Sequence, residues 1–259
     1  MRADSMTEIS VEQRGDARWI TLDRPERRNA ISPVMLDEID QAVRAAEQDR
    51  SVRVLVFAAS GSVFCAGADL GDAEALPDSA LLERSTALMN RIEDFPQPVV
   101  AMVQGLACAG GVELLLACDL IVASDRAAFA DIHSTVGLIP GAGGVWRLVR
   151  RVGLAWAKQM MYSGDIYSSE DMYVAGFVNE VTPADQLETR TVGLVDMLSS
   201  RSPLALAAMK RLANGALDAT REEHMSAALA ENDRHLRTTD GGEGLAAMSE
   251  KRQPVYVWQ

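Results

Sequence analysis

Aromatic residues make up only 5% of this 259-residue chain, cysteines number three, and cations are outnumbered 25 to 37 by acids. Each shortage excludes something. Cys65, Cys108 and Cys118 are odd in number and show no CxxC spacing, which argues against a disulfide framework and against a zinc ribbon. A reducing, cytoplasmic setting is the expectation. The net charge of −12 and a pI near 4.7 disfavour nucleic acid and anionic membrane as partners, since the average field would repel either. A polyanionic ligand would therefore need a local basic patch. No run approaches the roughly 18 apolar residues of a membrane span, and the opening MRADSMTEIS has no apolar signal-peptide region. Residues up to about Met6 read as a frayed or alternative start. The phosphate-binding pattern GxxxxGK[ST] is absent and Gly242-Glu243-Gly244 follows no strand, so nucleotide sites of those kinds are unsupported. Internal repeats and low-complexity segments are also missing.

What is present is 48% apolar residues, enough for one substantial core. Ile9–Arg14 and Arg18–Asp23 read as a hairpin around Gly15-Asp16, followed by a basic turn from Arg24 to Asn29. Ser32 before Pro33 supplies an N-cap and a first-turn proline, and Val34, Leu36, Ile39, Val43 and Ala46 then recur at helical spacing to about Asp49. Val52–Ala59, Pro98–Gln104 and Leu120–Ser124 are apolar nearly throughout, as parallel strands covered on both faces are. Helical stretches Ser79–Asp94 and Gly110–Cys118 separate them, which predicts an α/β core with right-handed crossovers. After Gly141 the pattern is helical apart from a short strand around Val178–Val181. The spacing predicts a core over residues 1–182 and a helical part over 183–259, broken near Ser202-Pro203, Gly215 and Thr239–Gly242. That tail is too short in apolar content to stand well alone, so it should pack on its own core or on a neighbouring subunit.

Two glycine-containing turns follow buried strands: Val63 to Leu70, and Gln104 to Glu113. Parallel neighbours deliver both to the carboxyl edge of a sheet, where α/β folds place their sites. Small residues there let backbone approach a ligand, and the second turn opens a helix whose free N–H groups favour negative charge. On spacing alone, plain tight turns packing helix on strand account for them equally well.

The segments FCAGADL, QGLACAGGVELLLACD, FADIHSTVGLIPGAGGVWRL and SGDIYSSEDMYVAGFVNEV, in this order and spacing, resemble the signatures of the enoyl-CoA hydratase/isomerase (crotonase) superfamily. The resemblance runs from about Ile9 to Lys251. It implies an α/β crotonase fold, a spiral of ββα units with a helical C-terminal part, and an acyl-CoA thioester as substrate with no other cofactor. It implies trimers that usually pair into hexamers. It also implies that the backbone N–H groups of Ala68 and Gly110 form an oxyanion hole, with Gly67, Asp69, Leu70 and Gly111 beside them in the substrate-binding turns. Two preorganised donors would suit a thioester enolate, whose charge gathers on one oxygen, at ~3 kcal/mol each.

Glu113 lies three residues after Gly110, on the same face if both are helical. In the family this position is one of two glutamates that act as acid and base in hydration. A carboxylate in a first helical turn is favoured by the helix dipole in any case, so a capping role stays open. The departure is His133. The second hydratase glutamate sits four residues before the glycine of the GxxPG segment, and here Gly137 puts His133 at that position. An ordinary imidazole could act as acid or base near neutrality, and activity would then fall at acid pH as it protonates. Asp131 is placed to orient it, and a metal role is disfavoured because no third ligand is evident. Gly141 stands where some relatives carry a nucleophilic or acidic residue, which weighs against a dehalogenase-type reaction. Ser134 and His133, adjacent on a loop, would point apart rather than pair.

For the CoA portion the expected partners are Arg24, Arg27 and Arg28, with Lys251 from this chain or a neighbouring subunit, since an acidic protein must supply local cations to a polyanion. The resemblance adds the backbone around Ala66 near the adenine and Met248 near the CoA. Leu76–Met89 is expected to set acyl selectivity, or else to be an ordinary amphipathic helix. Hydration of a 2-enoyl-CoA leads; another enolate reaction (isomerisation, or decarboxylation or hydrolysis of a β-oxo acyl-CoA) and a non-catalytic acyl-CoA-binding protein remain alternatives.

Overall fold

The computed structural model describes residues 7–69, 71 and 79–258. Strand β1 (Ile9–Arg14) pairs antiparallel with β2 (Ala17–Leu22) across the turn at Gly15, whose φ of 57° suits glycine. β3 (Val54–Ala59), β5 (Val99–Val103), β7 (Leu120–Ser124) and β10 (Glu180–Thr182) extend this sheet in parallel, giving the order β1-β2-β3-β5-β7-β10. The near-continuous apolar runs are explained by cover on both faces. Ile20, Leu55, Phe57, Ala101 and Ile121 face a large core, while Trp19, Val54, Val56, Val100 and Val122 face a second cluster closed by Leu187, Val195 and Leu198.

That second cover is helix α6 (Leu187–Ser199). The helical part beyond residue 182 therefore begins by packing on the back of its own sheet.

A smaller four-stranded sheet, β4 (Val63–Cys65), β6 (Leu106–Cys108), β8 (Ala128–Ala130) and β9 (Ile166–Ser168), stands above the first. Its strands have three residues each, too short for any period to announce them. The chain thus climbs in ββα units: β3, β4, α2 (Ser79–Asp94), then β5, β6, α3 (Gly110–Leu116), then β7, β8, α4 (Gly144–Ser163, kinked at Gly153). Helix α1 (Pro33–Glu47) starts as its sequence demands, with Ser32 Oγ accepting from Met35 N at 3.0 Å and Pro33 in the first turn. It buries Met35, Leu36, Ile39 and Val43.

Several expected boundaries shift. Val52 belongs to the turn before β3, its N–H donating to Asp49 O. α3 ends at Leu116, two residues before Cys118. After α5 (Ser169–Val174) and α7 (Pro203–Gly215), α8 (Arg221–Leu236) ends earlier than the expected break at Thr239–Gly242. Those residues instead form the first turn of α9 (Thr239–Glu250), with Thr238 Oγ1 accepting from Gly241 N at 3.0 Å. The glycine serves close packing there: a Cβ on Gly241 would lie 2.3 Å from His235 O.

Candidate active site

The two glycine turns meet at the carboxyl end of the small sheet. Gly67 has φ of +105°, open to glycine alone, and a Cβ on it would lie 3.1 Å from Ala109 Cβ and 3.2 Å from Cys108 O. Ala109 itself is held at φ 47°, ψ −114°, a strained setting for a residue with a side chain. A Cβ on Gly110 would sit 3.3 Å from Ala68 N, so the two turns are in contact. Gly111 is fixed by packing, because a Cβ there would lie 2.6 Å from Cys65 O.

The surrounding backbone bonds leave the Ala68 and Gly110 amides over. Ile31 N donates to Gly67 O and Asp69 N to Ile31 O, which skips Ala68. The helix ladder of α3 begins with Glu113 N donating to Ala109 O, beyond Gly110. Among the described residues no acceptor is paired with either amide.

Ala68 and Gly110 both line a cavity of about 480 Å³. One side carries Ala66, Ala68, Ala109 and Gly110; the other is Ile132, His133 and the loop from Val136 to Ala142. Helix α2 supplies Leu81, Leu82, Ser85 and Met89, so the described part of the expected selectivity segment does line the cavity. Its residues 76–78, and Leu70, lie outside the described residues.

Glu113 lines this cavity and is buried. Its Oε1 accepts from Ala142 N at 2.8 Å and Gly144 N at 3.0 Å. Gly144 must lack a side chain, since a Cβ would fall 2.7 Å from that oxygen. Burial pushes the Glu113 carboxyl above its ordinary value, against the opposing pull of the two amides and His133. His133 opens a 3-10 turn, His133–Val136, and lines the same cavity. Its Nδ1 is 2.6 Å from Asp131 Oδ1, which also accepts from His133 N at 3.2 Å. Burial alone would lower the imidazole's pKa, but the hydrogen bond and charge of Asp131, with Glu113 in support, more than offset it and raise it. A buried carboxyl and an Asp131-bonded imidazole, both raised above their ordinary values, thus flank one space.

The sequence pattern of the enoyl-CoA hydratase/isomerase family matches residues 13–259. The chain belongs to that family. It is 36% identical over 250 residues, 92% of this chain and 84% of the relative, to human enoyl-CoA hydratase domain-containing protein 2, mitochondrial. It is 35% identical over 257 residues to 2,3-dehydroadipyl-CoA hydratase of Escherichia coli, covering 97% of this chain and 99% of that one. The crystal structure of enoyl-CoA hydratase from Bacillus anthracis superposes with a TM-score of 0.94 at 30% identity, over 97% of this chain and all of that one. The spiral of ββα units is the architecture of this family member.

The remaining candidate residues divide. Ala66 lies in the cavity wall and its N–H donates to Arg28 O at 3.0 Å, which puts the exposed Arg27 and Arg28 close to the mouth. No ion pair engages either among the described residues. Arg24 is different: it is half-buried, paired with Glu8 at 3.1 Å and with Asp69 at 3.0 Å. Asp69, held by Gly71 N and Arg24, has its carboxyl kept below the usual range and locks the first turn. Met248 and Lys251 sit at the exposed end of α9, and neither lines this chain's cavity. A second cavity of about 500 Å³ between α4 and α7 has its cations engaged, Arg150 with Asp218 and Lys210 with Asp119.

Asn29 escaped the sequence reading. Fully buried at φ 53°, it accepts from Arg24 N and donates to Ser60 O and Val63 O, tying the basic turn to β4. Asparagine tolerates that left-handed conformation better than most residues, which is the one signal it offered. The amides of Ala142 and Gly144 carried no signal beyond the GAGG run, because main-chain donors are the same in every residue.

Proposed function

We propose that this protein adds water across the double bond of a 2-enoyl-CoA, with Glu113 as base and His133 as acid. The observation that carries the reading is the convergence of two unpaired amides, a buried carboxylate and an Asp131-supported imidazole on one largely apolar cavity. The thioester oxygen would accept from Ala68 N and Gly110 N, which draws charge away from C3 and stabilises the enolate. Glu113, ionised, takes a proton from water as its oxygen adds to C3; His133, protonated, delivers a proton to C2. The expectation for an ordinary imidazole changes with Asp131 in place: protonated His133 is the working form, so its titration limits activity on the alkaline side. Double-bond isomerisation needs one group that moves a proton between carbons; the second proton-transferring group favours hydration. Mass spectrometry of an acyl-CoA panel should show the mass of one water gained on 2-enoyl-CoA substrates. Products of unchanged mass with a shifted double bond would replace hydration by isomerisation.

The CoA moiety would lie over Ala66, with Arg27 and Arg28 near its phosphates. Met248 and Lys251 would reach it from a neighbouring subunit. Arg28→Ala and Lys251→Ala are each expected to weaken CoA binding roughly twofold to fivefold at low salt, as an exposed ion pair does, and less at high salt. Isothermal titration at two salt concentrations checks this, and unchanged affinity at low salt would remove both residues from the site.

A homotrimer, or a hexamer of two trimers, is the assembly this reading requires. Helix α8 buries none of its residues, leaving Met225, Leu229 and Leu236 exposed, and Tyr162, Ile166 and Val174 are exposed elsewhere. Met225, Leu229 and Leu236 recur at helical spacing on one face of α8, and a contiguous exposed apolar face of this kind marks an interface. Sedimentation at micromolar concentration should give a trimer or its double; a monomer would contradict the assembly.

A further inference from the structure

Arg147, on the first turn of α4, is 4% exposed, and its guanidinium reaches three groups on two segments, the loop before α4 and helix α2. Nη1 donates to Ala142 O at 2.8 Å, Nη2 to Asn90 Oδ1 at 2.6 Å, and Nε to Glu93 Oε2 at 2.9 Å. Ala142 stands between this cation and Glu113, since its N–H goes to Glu113 Oε1 and its carbonyl to Arg147. Gly143 makes room for the arrangement: its φ is +85°, and a Cβ there would lie 2.4 Å from Arg147 Nη1. Asn90 and Glu93 belong to α2, the helix whose Leu82, Ser85 and Met89 line the acyl side of the cavity. Thr86 Oγ1, also on α2, donates to Gly141 O at 3.1 Å, one residue ahead of the amides that hold the carboxylate.

We propose that Arg147 is a positioning residue for Glu113, clamping the loop of residues 141–144 to α2 so that both loop amides stay on the Glu113 carboxylate. This rests on the reading of Glu113 as the base. A planar guanidinium suits the task because it serves a carbonyl, an amide oxygen and a carboxylate in fixed directions, which an ammonium does not. The loop amides favour the ionised form of Glu113, whereas burial disfavours it; Asp131 and His133 are the titratable groups facing the carboxylate. Loosening the loop therefore raises the pH at which Glu113 becomes a base, and misplaces it.

The test is the pH profile of kcat for Arg147→Lys, measured beside wild type and Glu113→Gln, with folding followed by circular dichroism. The expected result is a folded variant whose kcat falls on the order of tenfold to a hundredfold, whose CoA affinity is unchanged and whose acid limb moves to higher pH. A merely structural role would lower the melting temperature and leave the limb in place, and that outcome overturns the proposal. If Arg147→Lys does not fold, Asn90→Ala decides: a smaller shift of the same limb supports the clamp, and an unmoved limb refutes it. Should Glu113→Gln itself retain turnover, the assignment of the base fails; should it lose turnover while Arg147→Lys keeps the wild-type profile, only the clamp fails.

Discussion

Glu113→Gln is expected to lower turnover of a 2-enoyl-CoA by roughly two to four orders of magnitude, the range for a general base, while CoA affinity stays near wild type. The substitution keeps the shape of the side chain and one oxygen for the Ala142 and Gly144 amides, so the loop has reason to stay in place. What is lost is the capacity to take a proton from water. In the wild type that capacity appears only above the raised pKa of the buried carboxyl, so the acid limb of the kcat profile should lie above the ordinary carboxylate range. The variant should show no such limb. Steady-state kinetics with a parallel titration of CoA separates the effect from substrate binding, and retained turnover would sink the assignment.

His133→Ala should cost about a hundredfold or more in kcat, because the carbanion at C2 then waits on solvent for its proton. Asp131→Asn is the more informative partner. It preserves a hydrogen-bonding group beside His133 Nδ1 but removes the charge that, with the hydrogen bond, raises the imidazole's pKa. For a group that works protonated, a raised pKa extends activity to higher pH. Removing its support should draw the alkaline limb of the profile downward, leaving activity at acid pH less affected than activity above neutrality. Were His133 to work as a neutral base, Asp131→Asn would instead extend activity toward acid pH. Loss of turnover confined to Glu113→Gln, with His133→Ala active, would reduce His133 to a lining residue.

The large sheet was legible because its strands are covered on both faces, so Val54–Ala59 and Val99–Val103 read as unbroken apolar runs. The Ser32-Pro33 helix start was legible for a local reason, a cap followed by a proline. The small sheet was not, since three-residue strands have no period to detect and were implied only by family resemblance. The same division holds in the site. Glu113 and His133 are side chains at recognisable spacings, and both fall in one cavity. The dyad distance to Asp131, the loop amides on Glu113 and the reach of Arg147 to Asn90, 57 positions away, depend on tertiary contacts that no local pattern encodes. The helix break expected near Thr239–Gly242 falls just before that run, at Arg237-Thr238, and the glycines open the next helix where two helices touch.

The measurement that bears most directly on the central claim is the absorbance of the conjugated thioester when crotonyl-CoA is mixed with the purified protein. Hydration removes the conjugation, so the account predicts loss of that absorbance with wild-type protein, proportional to enzyme concentration and abolished in Glu113→Gln. Absorbance that stays constant across a panel of enoyl-CoA chain lengths, while CoA thioesters still bind, would contradict it.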